Sequence, residues 1–372
     1  MPDENRSQLN KFSKERNVEE AKKVKESIKN YELRIKDIEK NRIELLDQLP
    51  NIPAPDVPVG KDASENVVIR QVGEKPKGPV TDYLTLAENL DLIDVARASK
   101  VSGSRFGYLK REAALLELAL TQFAFNFLTK EGFIPVVPPV MVKPEMMIGM
   151  GKIKFIEGKD AFYLPDDNLY LAGSAEHTIG PMHAGEVFDE KDLPRRYVGF
   201  STCFRREAGS YGKDTRGILR VHQFDKVEMF SFSKPEESDK EHQFLVSMQE
   251  KMMKELELPY QVVQICTGDL GFGDAKQIDI ETWLPSEGRY RETHSASNTT
   301  DFQARGLDIK YRLMPNDQRQ TTQFVHMLNA TALAIGRIII AILENHQTNN
   351  EAVKIPKVLT EYIGIKEIKS SR

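Results

Sequence analysis

Residues 203–228 read CFRREAGSYGKDTRGILRVHQFDKVE and gather guanidinium, carboxylate and aromatic side chains into one short stretch. A strand pattern, a loop rich in glycine and charge, and a second strand pattern predict a hairpin whose loop is too long for a tight turn. Side chains alternate faces along a strand. Arg205 and Glu207 therefore share a face in the first arm, and His222, Phe224, Lys226 and Glu228 share one in the second. Such a surface packs poorly but suits a charged, planar ligand such as a nucleotide. An arginine fork can grip phosphate or carboxylate with two hydrogen bonds, and a ring can stack on a base. The competing reading is a solvated hairpin whose charges pair with one another. Phe224 has its own competing reading, as a core aromatic.

A second guanidinium stands out. The run IIIAIL leaves no polar face, which predicts a buried helix over 332–345 with Arg337 near its start. A buried guanidinium is costly unless paired. No carboxylate lies within a turn before it, and Glu344 is nearly two turns on. A polyphosphate would satisfy it; so would a distant Asp or Glu. Asn329 or Thr331 can cap the helix start, and capping alone explains a threonine there.

These residues need elements to hold them. Residues 17–49 lack glycine and proline and alternate charge sign. Ala21, Val24, Ile28, Tyr31, Ile35, Ile38, Leu45 and Leu49 recur at steps of three and four, broken at Arg42, which predicts a helix with a coiled-coil seam. That seam needs a partner, and upstream only Leu9 and Phe12 begin a matching stripe. Pro50 stops the helix, and PNIPAPDVPVG is a stiff linker. Surface strand is expected within 51–82, and helix over 88–94 and the ARASK that follows. Residues 106–131 predict a long helix, apolar around much of its girth and ended by Gly132, so buried against a core or a second subunit. An amphipathic helix is expected at 236–256 among many strands. The fold class is α+β, an antiparallel sheet flanked by helices and preceded by the coiled-coil-type helix. Its parts are an N-terminal helical arm at 1–49 and a catalytic domain at 50–372, the latter made of a linker and lead-in at 50–105 and a core at 106–372.

Composition bounds the function. The chain has 372 residues and a net charge of −4, so a nucleic-acid partner would require a local basic patch. Its 40% hydrophobic content fits a soluble globular protein. Cys203 and Cys266 form no CxxC or Cys/His cluster, and nothing points to structural zinc. The start, MPDENRSQLN, is not a signal peptide, and IIIAIL is too short to span a bilayer. No membrane association is expected; the expected compartment is the cytoplasm.

The hairpin closely resembles motif 2 of the class II aminoacyl-tRNA synthetases, in the form found in seryl-tRNA synthetases. GFIPVVPP at 132–139 resembles motif 1, and HMLNATALAIGRIIIAILEN at 326–345 resembles motif 3. PNIPAPDVPVGKDASENVVIR, KVSGSRFGYLK, LYLAGSAEH, CTGDLGFGDAKQIDIETWLPS and YRETHSASNTTDFQAR match in order as well, so the likeness runs over about 50–372. Departures are Ser174 for the usual threonine, His294 where a small serine is common, and Ala330-Thr331-Ala332 for the frequent Gly-Ser-Gly.

The resemblance implies that L-serine is activated with ATP to seryl-adenylate and pyrophosphate, then transferred to tRNA(Ser), and to tRNA(Sec) where present. Arg205, Arg337 and Glu292 would be catalytic. Arg205, Arg206, Glu207, Val221, Phe224, Glu292, Thr293, His294, Ser295 and Arg337 would bind ATP. Ser174, Ala175, Glu176, Arg205, Glu228, Asn329 and Thr331 would bind serine. Glu292 and Ser295 would hold Mg²⁺, although strict alternation puts them on opposite faces unless the strand ends or bulges between them. Lys213 and Arg216, in the motif 2 loop, would approach the tRNA end. Motif 1 implies a homodimer. The family's long two-helix arm grips tRNA; here the second helix and only the end of the first are recognisable, which implies weakened tRNA binding. Two rivals remain: an amino acid:carrier-protein ligase of the same class, and a catalytically inactive relative.

Overall fold

The computed structural model describes residues 18–46, 48–78, 80–208, 214, 216–313, 321–348 and 352–370. The chain divides into two compact units, Met1–Pro50 and Asn51–Arg372. In the first, helix α1 runs over Val18–Leu46. Ile28 is buried, whereas Ile35, Ile38 and Leu45 of the expected seam are exposed, as is Leu49 beyond the helix end. Leu9 and Phe12 lie outside the described residues.

The second unit is built on an eight-stranded sheet. In chain order its members are β1 (Val67–Val72), then, after helix α2 (Arg111–Lys130), β2 (Ile134–Val136), β3 (Arg195–Phe204) and β4 (Gln223–Ser233). Helix α3 (Ser238–Glu255) is followed by β5 (Tyr260–Gln264), β6 (Lys276–Leu284), β7 (Arg289–Asn298) and β8 (His326–Ala334), and β8 runs directly into α4 (Ile335–Asn345). The spatial order is β1-β5-β6-β7-β8-β4-β3-β2. All pairs are antiparallel except β2 with β3.

Alternation along β4 sorts the two faces of the sheet. Val227 and Met229 enter the main core with α2, α3 and α4. Lys226 and Glu228 point the other way, where Phe230 and Phe232 belong to a second core cluster. α4 is apolar almost throughout because it is buried almost throughout, from Ile338 to Leu343. α2 ends where Gly132 takes φ +90°, a conformation that favours glycine.

Two boundaries differ from expectation. Leu90–Asp94 is not helical: helices at Tyr83–Asn89 and Val95–Ser102 flank a short strand at Ile93–Asp94. Asp82 and Asp94 each cap the helix that follows through side-chain oxygens, and this fixes the break. Asn329 and Thr331 do not cap a helix; both lie within β8, and α4 starts at Ile335 without a side-chain cap. The apolar run misled because a buried strand and a buried helix read alike.

Candidate active site

A cavity of about 480 Å³ opens on the sheet face that carries Lys226 and Glu228, and Gly336 and Arg337 from the first turn of α4 also line it. The arms of the hairpin, β3 and β4, stop at Phe204 and Gln223, and the backbone of Arg205 still pairs with that of His222 (2.9 Å). That bond projects Arg205 over Phe224, with the guanidinium 5.4 Å from the ring centre. Arg205 also donates from Nε to the Gly173 carbonyl (3.0 Å), which ties the hairpin to the Ser174–Glu176 loop. His222 itself turns away, its ring packed near Phe106 and Phe162.

Two register shifts shape the walls. Between β4 and β8, Val227 faces Leu333 but Glu228 faces Thr331, leaving Ala332 as an extra residue. Glu228 and Thr331 thereby become cross-strand neighbours inside the cavity. Between β6 and β7, Ile280 faces His294 but Glu281 faces Glu292, leaving Thr293 as the extra residue. Here is the bulge that the metal assignment required: Glu292 and Ser295 both line the cavity. Gln249 of α3 braces both strands from behind, donating to the carbonyls of Ser295 (3.0 Å) and Thr331 (2.8 Å).

The charges at one end are buried and matched. Glu228 is 1% exposed, ion-paired to Lys226 at 2.6 Å, and accepts from Ser174 Oγ at 3.3 Å. Burial raises the Glu228 carboxyl above its usual range, against the pull of Lys226. Glu176 goes the other way. Burial would raise it, but Lys152, His177 and Lys226 hold it down at about 2.

The other end is open. Arg337 is not fully buried; it donates to the Glu292 carbonyl (2.8 Å) and lies 3.5 Å from the Glu292 carboxylate. Glu344, the carboxylate nearest in α4, instead accepts from Ser286 and the Tyr83 backbone. Arg220 bonds Glu207 at 2.5 Å. Arg291 is paired with Asp214, and with Arg289 it lines an adjoining recess of about 500 Å³ that shares Arg220, Glu292 and Arg337 with the main cavity.

The expected Mg²⁺ ligands suit a hard cation. Glu292 and Ser295 offer oxygens on one wall. Asp279 of β6 lies beside them, and burial, then the charge of Glu292, pushes its carboxyl well above the usual range. Two carboxylates repelling each other is an arrangement a divalent cation relieves. Among the described residues no group of three His, Cys, Asp or Glu ligands stands together, so phosphate oxygens and water would have to complete such a shell.

Of the expected site residues, Ser174, Glu176, Arg205, Glu207, Val221, Phe224, Glu228, Glu292, Thr293, Ser295, Asn329, Thr331 and Arg337 line one cavity. Arg206, Ala175 and His294 do not. Arg206 stacks over Phe162 and donates to the Ala161 carbonyl. Ala175 is fully buried among the second core cluster. His294 is fully buried on the opposite side of β7, bonded to Thr293 Oγ1 (2.8 Å), and burial drops its pKa to about 4. Sequence reasoning missed Lys152, Arg220 and Asp274 as lining residues, and it placed Lys226 on the ligand face without giving it a role. Arg220 had a signal, four residues before Phe224 in the returning arm. Lys152 and Asp274 had none, since distant segments deliver them. Lys213 lies outside the described residues.

Comparison with known proteins settles the kinship. Residues 162–346 match the tRNA synthetase class II core domain (G, H, P, S and T). The serine–tRNA ligase of Pyrococcus horikoshii is 45% identical over 371 residues, spanning 94% of this chain and 80% of that one. The chain belongs to the serine–tRNA ligase family. Solved structures of the family agree. The seryl-tRNA synthetase of Pyrococcus horikoshii complexed with ATP has a TM-score of 0.93 at 42% identity, covering 100% of this chain and 90% of that one. The cytoplasmic serine–tRNA ligase of Naegleria fowleri in complex with AMP has a TM-score of 0.89 at 33% identity, covering 100% and 88%.

Proposed function

We propose that this serine–tRNA ligase family member activates L-serine with ATP, releasing pyrophosphate, and then esterifies tRNA(Ser), and tRNA(Sec) where one exists. One observation carries the reading: Arg205 and Arg337 share a single cavity with Glu228 and Glu292. The serine carboxylate attacks the α-phosphorus, a P–O bond forms, and the bond to pyrophosphate breaks. Two anions must meet, so fixed positive charge is the main requirement. Arg205 meets the α-phosphate and the serine carboxylate, Phe224 stacks on adenine, Glu207 accepts from its amino group, and Arg337 takes the γ-phosphate. Glu207 is bonded to Arg220 in this structure, so adenine recognition requires that contact to be shared or exchanged. Glu292 and Ser295 would hold Mg²⁺, which supplies charge neutralisation on the phosphates. Glu228, Thr331 and the Ser174–Glu176 loop would receive the serine ammonium and hydroxyl. A terminal ribose hydroxyl of tRNA then attacks the seryl carbonyl, releasing AMP.

The parts are assigned accordingly: residues 1–49 to a tRNA-binding arm and 50–372 to the catalytic domain. A homodimer is supported by Leu115 and Leu118 on α2 and Val137 after β2, all apolar and exposed. Among the described residues no helix is long and apolar enough to cross a membrane. Cys203 and Cys266 are unpaired and buried, which fits the reducing cytoplasm.

ATP–pyrophosphate exchange across the standard amino acids tests the reading. Serine alone should stimulate exchange, chelation of divalent cations should abolish it, and tRNA(Ser) should then be charged. Exchange driven equally by alanine would sink it, because a site built for a hydroxyl rejects the analogue lacking one by about 10⁴-fold or more. The carrier-protein rival has less support than a relative at 45% identity, and acylation of carrier protein rather than tRNA would revive it. The retained charged set argues against an inactive relative.

A further inference from the structure

Lys152 and Asp274 line the amino-acid end of the cavity and have no part in the chemistry above. Lys152 caps the short helix Ile153–Glu157. Its N–H donates to the Met147 carbonyl (3.0 Å), and its own carbonyl accepts from Ile156 (3.1 Å). Gly151, just before it, has φ +70°, and a Cβ there would come within 2.6 Å of the Phe302 ring. The backbone is thus fixed, and the side chain crosses to an ion pair with Glu176. Asp274 approaches from the segment before β6, its N–H bonded to the Gly271 carbonyl (3.0 Å). Burial alone would lower the Lys152 ammonium, but Glu176 and Asp274 outweigh it and raise it. His177, beside Glu176, is pushed by burial down to about 3 and stays neutral, so Lys152 is the nearby charge that matches Glu176.

An ion pair serving the fold alone has no need to face a substrate cavity. Here both partners do. We propose that Lys152 is a positioning residue for the amino-acid subsite, holding the Glu176 carboxylate ionised and in one orientation towards the substrate ammonium, with the charge of Asp274, in the same cavity, supporting that of Lys152. This rests on the serine reading.

The test is steady-state pyrophosphate exchange with the full chain. Lys152→Met should raise the KM for serine about tenfold or more while the KM for ATP and kcat stay within about threefold. Lys152→Arg should recover most of the loss, since it restores the charge. Asp274→Asn should raise the serine KM in the same direction by about threefold. An unchanged serine KM in Lys152→Met, or a fall in kcat alone, overturns the proposal. Should that variant fail to fold, Asp274→Asn decides by the same split: serine and ATP KM values both equal to wild type overturn it. The serine reading fails separately, in the unmodified enzyme, if serine does not stimulate exchange.

Discussion

The two ends of the cavity solve opposite problems with the same side-chain types. At the amino-acid end the carboxylates of Glu228 and Glu176 are buried and already matched, by Lys226 and by Lys152. At the phosphate end the arginines are partly open to water and lean on carboxylates that a nucleotide would displace or share, Asp214 and Glu207 among them. The difference follows from the ligands. A small zwitterion must be told from its neighbours by geometry, which favours buried groups held in place. A triphosphate brings several negative charges and needs mainly a strong positive field. Fixed, desolvated pairs give discrimination; exposed guanidiniums give affinity.

Arg205 stands between the ends, so its loss should erase the contrast. Arg205→Ala is expected to cut exchange by about 10³-fold and weaken dependence on both substrates. Arg337→Ala should touch one end only, lowering kcat/KM for ATP by about 10²-fold with the serine KM nearly unchanged. Glu228→Gln should do the reverse, raising the serine KM by about tenfold with little effect on ATP. Salt offers a test without mutation. Raising ionic strength from about 0.1 to 1 M shortens the screening length from about 10 to 3 Å. The KM for ATP should then rise several-fold while the serine KM stays nearly constant; equal sensitivity of the two would refute the contrast.

The smallest expected effect is on stability, behind the sheet. Burial and the neighbouring Asp225 raise the Glu117 carboxyl to about 8. A carboxyl whose folded value is raised contributes stability that is complete below its unfolded value and is lost as pH climbs through about 8. Glu117→Gln should therefore raise the melting temperature at pH above about 8 and leave it unchanged near pH 4. Because Glu117 is only partly buried, screening holds the gain to about 1 to 2 kcal/mol.

Legibility in the sequence follows range. The hairpin, α2 and α3 were readable because local periodicity dictates them. Arg205, Phe224 and Glu228 were readable because one alternation rule places all three. The ends of β8 and α4 were not, since, Arg337 apart, Ala332 to Leu343 carries no polar side chain to mark where strand gives way to helix. Arg337 was expected to be buried without a nearby acid, yet it meets Glu292 across the sheet, a partner that no spacing within one helix could reveal. His294 was placed at the nucleotide by analogy of position, and the shift at Thr293 sends it to the opposite side. Lys152 and Asp274 depend on segments more than a hundred residues apart converging, which local pattern cannot encode.

The extra residue at Thr293 has a further consequence. What it contributes to β7 is mainly its length. Deleting one of the two residues between Glu292 and Ser295 would close the bulge into an ordinary pleat in which the two, now two places apart, still share a face, so both oxygens would stay on the cavity wall. Replacing residues one at a time along this strand would not reveal that tolerance; removing one would, as a change of length that leaves the facing of both ends intact.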